Sequence, residues 1–180
     1  MISYDGKRND LYILKMLLKE INNDALFYTS FYEINKNNSS VICEIMNKAK
    51  ISVLDLCPIV YQISFDLISK LLRRVDILCG NEIEIRDVLF VLKFNSISEL
   101  LRNFNIKYIF EKRGKNGARC FFTNNVIEEK SQIQGVAKNK TGCGDCFNAA
   151  VIYGASMGNP IGDILKSAVE LSSEYAINNT

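Results

Sequence analysis

The feature that most constrains the fold is an alternation of short apolar runs with longer amphipathic stretches along the 180-residue chain. The apolar runs have the length and composition of buried strands, and the stretches between them have the three- and four-residue spacing of helices. Such alternation is typical of a mainly parallel sheet covered by helices on its faces. We therefore predict an α/β fold of three layers, built as a single domain over residues 1–180.

The pattern also predicts where the individual elements lie. The predicted strands are residues 25–30, 51–56, 75–78, 108–111, 118–122 and 126–129, with a turn at 123–125. The predicted helices are residues 11–21, 41–48, 65–72, 82–92, 96–104, 144–156 and 161–176.

Composition excludes several classes of function. Lys and Arg number 22 against 20 Asp and Glu, a balance that argues against nucleic acid or an anionic membrane as partner. No apolar run approaches the roughly 20 residues that span a bilayer, and the polar start of the chain lacks a signal-peptide core, so we expect a cytoplasmic protein. Because histidine is absent, acid–base chemistry must use a carboxylate, Lys, Tyr or Cys.

The six cysteines lie mostly inside apolar runs, which predicts reduced thiols. Cys143 and Cys146 form a C-x-x-C pair, a spacing that zinc sites and redox dithiols share. A structural zinc needs four ligands, and no second pair or histidine stands at ligand spacing. A redox dithiol would need a thioredoxin-like strand and turn, which the surrounding sequence does not support.

The segment from Thr141 to Asp145 carries the most chemistry. Two glycines around a small residue let consecutive backbone N–H groups point one way, and the helix that begins here adds the positive end of its dipole. This geometry predicts an anion site, with Asp145 at its edge able to accept a proton. A glycine turn with an aspartate in the first turn of a helix explains the same spacing equally well.

The run from Thr141 to Phe147 resembles the T-G-A-G-D-x-F segment of ribokinase-type (PfkB family) kinases. The resemblance implies that Asp145 is the catalytic base and that Gly142, Cys143 and Gly144 form the anion hole. Cys143 stands where that segment has Ala, a small and uncharged replacement that leaves the backbone cradle usable.

Two further motifs occur in the order of the same family. Asn81-Glu82-Ile83-Glu84 resembles its N-x-x-E motif, which implies that Glu84 organises Mg²⁺, largely through water, and that Asn81 lies near the phosphates of the nucleotide. Taken alone, the same residues suit an ordinary helix start, with Asn81 as N-cap and acids in the first turn.

The segment from Lys112 to Ala118 resembles the strand and G-x-x-G turn that line the nucleotide pocket of the family. The resemblance implies that Lys112, Gly114 and Gly117 contribute to nucleotide binding. Taken alone, the glycines suit a strand turn flanked by solvated charges.

Together the motifs imply an ATP-dependent phosphotransferase that uses Mg²⁺ and transfers the γ-phosphoryl group to a hydroxymethyl group of a sugar or nucleoside. Residues 75–82 look most like adenosine kinase and its bacterial relatives. Asn139 stands where the family commonly has an aspartate that helps to bind a monovalent cation, which argues against such a cofactor here.

Family members also carry acceptor-binding strands and a β-stranded lid before the part seen in this chain. The alternative is therefore a truncated, inactive kinase remnant or one half of a split kinase. The protein partner expected would be a second copy of the chain or a complementing N-terminal fragment.

Overall fold

A computed structural model of the protein describes residues 10–58, 63–123, 125–131 and 141–178. The strands are β1 (Leu26–Ser30), β2 (Ile51–Asp55), β3 (Ile77–Asn81), β4 (Tyr108–Lys112), β5 (Ala118–Phe122) and β6 (Asn125–Glu129). The helices are α1 (Asp10–Glu20), α2 (Ser39–Lys48), α3 (Phe65–Leu72), α4 (Glu82–Leu92), α5 (Ile97–Phe104), α6 (Cys143–Ser156) and α7 (Ile161–Asn178), with 3-10 turns at Phe31–Glu33 and Gly114–Asn116. Asn124 of the predicted turn and Asn139 lie outside the described residues.

The strands form one six-stranded sheet in chain order. β1 to β4 are parallel, and β4, β5 and β6 are antiparallel neighbours. Parallel neighbours need a crossover, and helices α2 to α5 lie in the three connections between β1 and β4. The predicted α/β fold with a mainly parallel sheet is confirmed.

Apolar residues on both faces of the sheet explain the layers. Neighbouring residues of β2 point to opposite sides, and both Val53 and Leu54 are fully buried, as expected for a strand that is covered twice. Leu54 packs in a cluster with residues of α1 to α5, and Val53 packs in a second cluster with α6 and α7. Within the described ranges, every helix is too short or too polar to cross a membrane.

One strand lies further along the chain than predicted. The predicted third strand, residues 75–78, is observed at Ile77–Asn81. Before it, the Asp76 carboxylate accepts hydrogen bonds from the backbone N and the Oγ of Ser52, at 2.8 and 2.9 Å. At its other end, pairing with β4 continues to Asn81 opposite Lys112. The extension brings Asn81 to the sheet edge where the parallel strands end.

Candidate active site

A cleft of about 1200 Å³ opens at the carboxyl ends of the parallel strands, where open α/β sheets usually bind their ligands. Its floor comes from the ends of β1 to β4, and one wall from the amino end of α6. The end of α7 forms another part of the rim through Ser172, Ser173, Ala176 and Ile177. The cleft contains most of the residues that the sequence motifs single out.

The amino end of α6 has the geometry expected of an anion site. Gly142 is the N-cap with a φ of +84°, and a Cβ there would lie 2.8 Å from Oη of Tyr175, so both backbone and space require glycine. Cys143 and Gly144 follow in the first turn and line the cleft. Backbone N–H groups in the first turn of a helix have no partner within that helix, so they can bind an anion.

Asp145 lies in this same first turn, is exposed, and lines the cleft. It shares the cleft with Asp55 and Tyr28 of the floor. The position suits a proton acceptor at the edge of the anion site. Its role as catalytic base stays a prediction.

Asn81 and Glu84 form a capping box at the start of α4. The Asn81 side chain accepts hydrogen bonds from the backbone N of Ile83 and Glu84, each at 2.9 Å. Glu84 Oε2 in turn accepts from the backbone N of Asn81 at 2.8 Å. The simpler interpretation of this motif is thus correct as local structure, although both residues also line the cleft. Burial raises the pKa of Glu84, and the Asn81 hydrogen bond opposes that shift.

Lys112 is part of a largely buried polar network on the cleft floor. Its Nζ donates to Asp55 Oδ1 at 2.8 Å and to Asn148 Oδ1 at 3.4 Å. The Asn148 amide also donates to Tyr28 Oη at 3.4 Å. Burial alone would lower the pKa of Lys112, but the adjacent Asp55 carboxylate raises it above its ordinary value. Burial raises the pKa of Asp55, and the Lys112 ammonium opposes that shift.

Sequence reasoning did not identify Asp55, Asn148 or Tyr28 as site residues. Asp55 and Tyr28 belong to strands β2 and β1, whose carboxyl ends border the cleft. A polar residue near the end of a predicted buried strand was therefore an available signal. Asn148 is a buried amide one turn into α6, and nothing in its spacing distinguished it from other helix residues.

Both glycines of the turn after β4 line the cleft, but their surroundings differ. Gly114 has a φ of +54° and open space around it, and it lines the cleft. Gly117 has a φ of +84°, and a Cβ there would lie 2.0 Å from the carbonyl oxygen of Glu129. Arg113 pairs with Glu82 and Glu128, and Lys115 is exposed. The simpler interpretation of these residues as solvated charges therefore holds for Lys115, whereas Lys112 is largely buried and Arg113 forms ion pairs with two acids.

The carboxylates of the cleft could hold Mg²⁺ only together with the phosphate oxygens of a bound nucleotide, which would supply the remaining ligands. Among residues 10–58, 63–123, 125–131 and 141–178, no group of three His, Cys, Asp or Glu side chains could hold a metal ion. Mg²⁺ commonly uses one or two carboxylates together with water and phosphate oxygens. Glu84, a buried carboxylate on the cleft, fits that pattern.

Cys143 and Cys146 of the C-x-x-C pair are both of intermediate exposure. Burial and the neighbouring Cys143 raise the pKa of the Cys146 thiol. Cys43, Cys79 and Cys120 are free and buried, and the prediction that the thiols are reduced stays a prediction.

Comparison with known proteins agrees with the fold and with the resemblance to a kinase family. Residues 1–176 match the pfkB family carbohydrate kinase. No curated protein sequence matches the chain.

Three kinases of low sequence identity are among the solved structures with a similar fold. A Burkholderia thailandensis nucleoside kinase in complex with inosine aligns at a TM-score of 0.78 and 13% identity, over 95% of this chain and 56% of that one. An Arabidopsis thaliana ribokinase complexed with ribose and ATP aligns at a TM-score of 0.72 and 20% identity, over 92% of this chain and 52% of that one. The Methanocaldococcus jannaschii nucleoside kinase, an archaeal member of the ribokinase family, aligns at a TM-score of 0.74 and 16% identity, over 89% of this chain and 54% of that one.

The chain thus spans about half the length of these structures. The family match extends over nearly all of the chain's own length. The protein belongs to the pfkB family of carbohydrate kinases.

Proposed function

We propose that the chain binds Mg-ATP in the cleft and transfers the γ-phosphoryl group to a hydroxymethyl group of a sugar or nucleoside. The observation that carries the proposal is that Gly144 and Asp145 of α6 share one cleft with Glu84 from the first turn of α4 and Lys112 from the end of β4. An anion cradle, a candidate base, a candidate metal ligand and a buried cation thus border the same space. The ribokinase complexed with ribose and ATP, and the nucleoside kinase in complex with inosine, support the substrate classes.

In this proposal the acceptor hydroxyl attacks the γ-phosphorus. The new O–P bond forms as the bond to the β-phosphate oxygen breaks, ADP leaves, and the hydroxyl proton passes to Asp145. Backbone N–H groups at Gly142 to Gly144 stabilise the charge on the transferred group. Mg²⁺, held through Glu84 and water, would neutralise phosphate charge when bound. Asn81, Gly114 and Gly117 shape the nucleotide side of the cleft.

A second candidate is a nucleotide-binding chain that has no turnover alone. This candidate is favoured because the chain aligns with only 52 to 56% of the length of the three kinase structures. Such a chain would need the acceptor-binding part from a complementing fragment or a second copy. Orientation and exclusion of water contribute much of the rate of such reactions, so turnover is expected to depend strongly on that part.

Calorimetry of Mg-ATP binding to the 180-residue chain tests the proposal. The matched control is Gly144→Asp, which places a carboxylate in the anion cradle, where a Cβ on residue 144 would have Lys112 Nζ as its nearest neighbour at 3.7 Å. Saturable binding that the control loses would support the nucleotide site. A folded chain that does not bind Mg-ATP would contradict it.

Asp145→Asn separates binding from chemistry. Because Asp145 is exposed, the variant should fold normally and still bind Mg-ATP. With adenosine, ribose or fructose as acceptor, any turnover should fall by about 10²- to 10⁴-fold, the usual contribution of a general base. If transfer is present and survives nearly intact, Asp145 is not the base. Binding without transfer in the wild type would favour the second candidate.

A further inference from the structure

A buried ammonium group lies directly beside the anion cradle. A Cβ placed on Gly144 would have Lys112 Nζ as its nearest neighbour, at 3.7 Å. The lysine comes from the end of β4 and the glycine from the first turn of α6, so two separate elements converge on this point. The Lys112 side chain is only 17% exposed, and the exposed part faces the cleft.

The hydrogen bonds of Lys112 leave donor capacity for a ligand. An ammonium group has three N–H donors. Among the described residues, Asp55 and Asn148 accept two hydrogen bonds from it. The Asn148 contact is long, at 3.4 Å, so a charged acceptor in the cleft could compete for it.

A comparison within the same strand shows what distinguishes Lys112. Lys107, just before β4, also pairs with an aspartate, Asp76, at 2.9 Å. Its side chain is 60% exposed, and this pair lies at the opposite end of the strand from the cleft. Both lysines therefore have a carboxylate partner, but only Lys112 stands beside the start of α6. An ion pair with aspartate therefore does not by itself explain why Lys112 lies beside the start of α6.

We propose that Lys112 binds the transferred γ-phosphoryl group, with Asp55 and Asn148 as the partners that fix its Nζ beside the anion cradle. The proposal rests on the proposed function, since it assumes that the anion in the cradle is the γ-phosphate of ATP. It gives this lysine a role in the phosphoryl site, beyond the general nucleotide-pocket role that its motif implies. Lysine serves well here because it presents a compact charge to phosphate oxygens.

The test compares the binding of inorganic tripolyphosphate, ADP and ATP to four forms of the 180-residue chain. The forms are wild type, Lys112→Met, the double variant Asp55→Asn/Lys112→Met, and the control Lys107→Met. The double variant is needed because Lys112→Met alone leaves Asp55 as an uncompensated carboxylate, which would repel phosphate or prevent folding. It removes both charges while keeping similar side-chain volume.

The double variant should bind tripolyphosphate roughly 10- to 100-fold more weakly than wild type, the loss expected for one charged hydrogen bond. The wild type should prefer ATP to ADP, and the double variant should lose that preference. Lys107→Met should behave as wild type. Double-variant binding at wild-type strength, or no tripolyphosphate binding by the wild type, would overturn the proposal.

Two outcomes separate this proposal from the proposed function. If ATP and ADP binding weaken equally without Lys112, the nucleotide site stands but the assignment of Lys112 to the γ-phosphate is wrong. If tripolyphosphate binds and depends on Lys112 while neither nucleotide binds, Lys112 is an anion ligand, but its assignment to the γ-phosphate of ATP fails together with the proposed function.

Discussion

The glycines of the turn after β4 differ in how strictly the backbone requires them. Gly117→Ala should destabilise the chain by about 3 kcal/mol or more, because a Cβ would meet the Glu129 carbonyl oxygen at 2.0 Å and φ is +84°. Gly114→Ala is the matched control, since its φ of +54° costs about 1 kcal/mol and nothing lies within 4 Å. Urea unfolding measures both, and equal losses would contradict the packing argument.

The Asp55–Lys112 pair makes a second prediction about single residues. With side chains 14% and 17% exposed, removal of either partner leaves the other charge largely buried. Asp55→Asn or Lys112→Met alone should lower the free energy of unfolding by about 3 to 5 kcal/mol. The double variant should lose clearly less than the sum of the two. Additive losses in a double-mutant cycle would show that the pair is not coupled.

Local motifs singled out residues that line one cleft, but they did not predict the contacts between those residues and their partners. Asp145, Gly144, Glu84 and Lys112 were singled out and all line one cleft. The pairing of Lys112 with Asp55 was not predictable, because the two residues are 57 positions apart and meet only through the strand order. A local sequence pattern carries no information about contacts between residues that are far apart in the chain.

At the scale of elements, the start of α4 has two separable roles. Glu84→Gln keeps an oxygen that can accept from the Asn81 backbone N but removes the charge that Mg²⁺ would need. Stability should change by less than about 1 kcal/mol, because burial already disfavours the charged form. The Mg²⁺ concentration required for nucleotide binding should rise. A loss of stability without any change in Mg²⁺ dependence would leave Glu84 as a helix cap only.

Element types were predictable where the apolar spacing was clear, and boundaries were less so. Helix α4 begins and ends where the pattern placed it, because Asn81 is a good N-cap directly after an apolar run. The 3-10 turn at Phe31–Glu33 was missed, although Ser30 and Glu33 form a capping box around it. That turn is too short to show a helical period, yet it places Tyr32 and Glu33 on the cleft.

At the scale of the whole molecule, one sheet separates two apolar clusters. The cluster with α1 to α5 contains Leu100, and the cluster with α6 and α7 contains Leu165; both side chains are almost fully buried. The two clusters share strands β2, β3 and β4, whose neighbouring residues point into opposite clusters. Loss of either layer exposes one face of the same strands, so the layers should unfold together.

Leu100→Ala and Leu165→Ala test this coupling. Each should cost about 2 to 5 kcal/mol, because each removes a buried side chain and leaves a cavity. If the sheet couples the layers, urea unfolding followed by circular dichroism and by tyrosine fluorescence should give one coincident transition, shifted in both variants. Two transitions, of which each variant shifts only one, would mean that the layers unfold separately. The cleft takes its floor from the strands and a wall from α6, so separate unfolding would also let the anion cradle detach from Lys112 while the other layer stays folded.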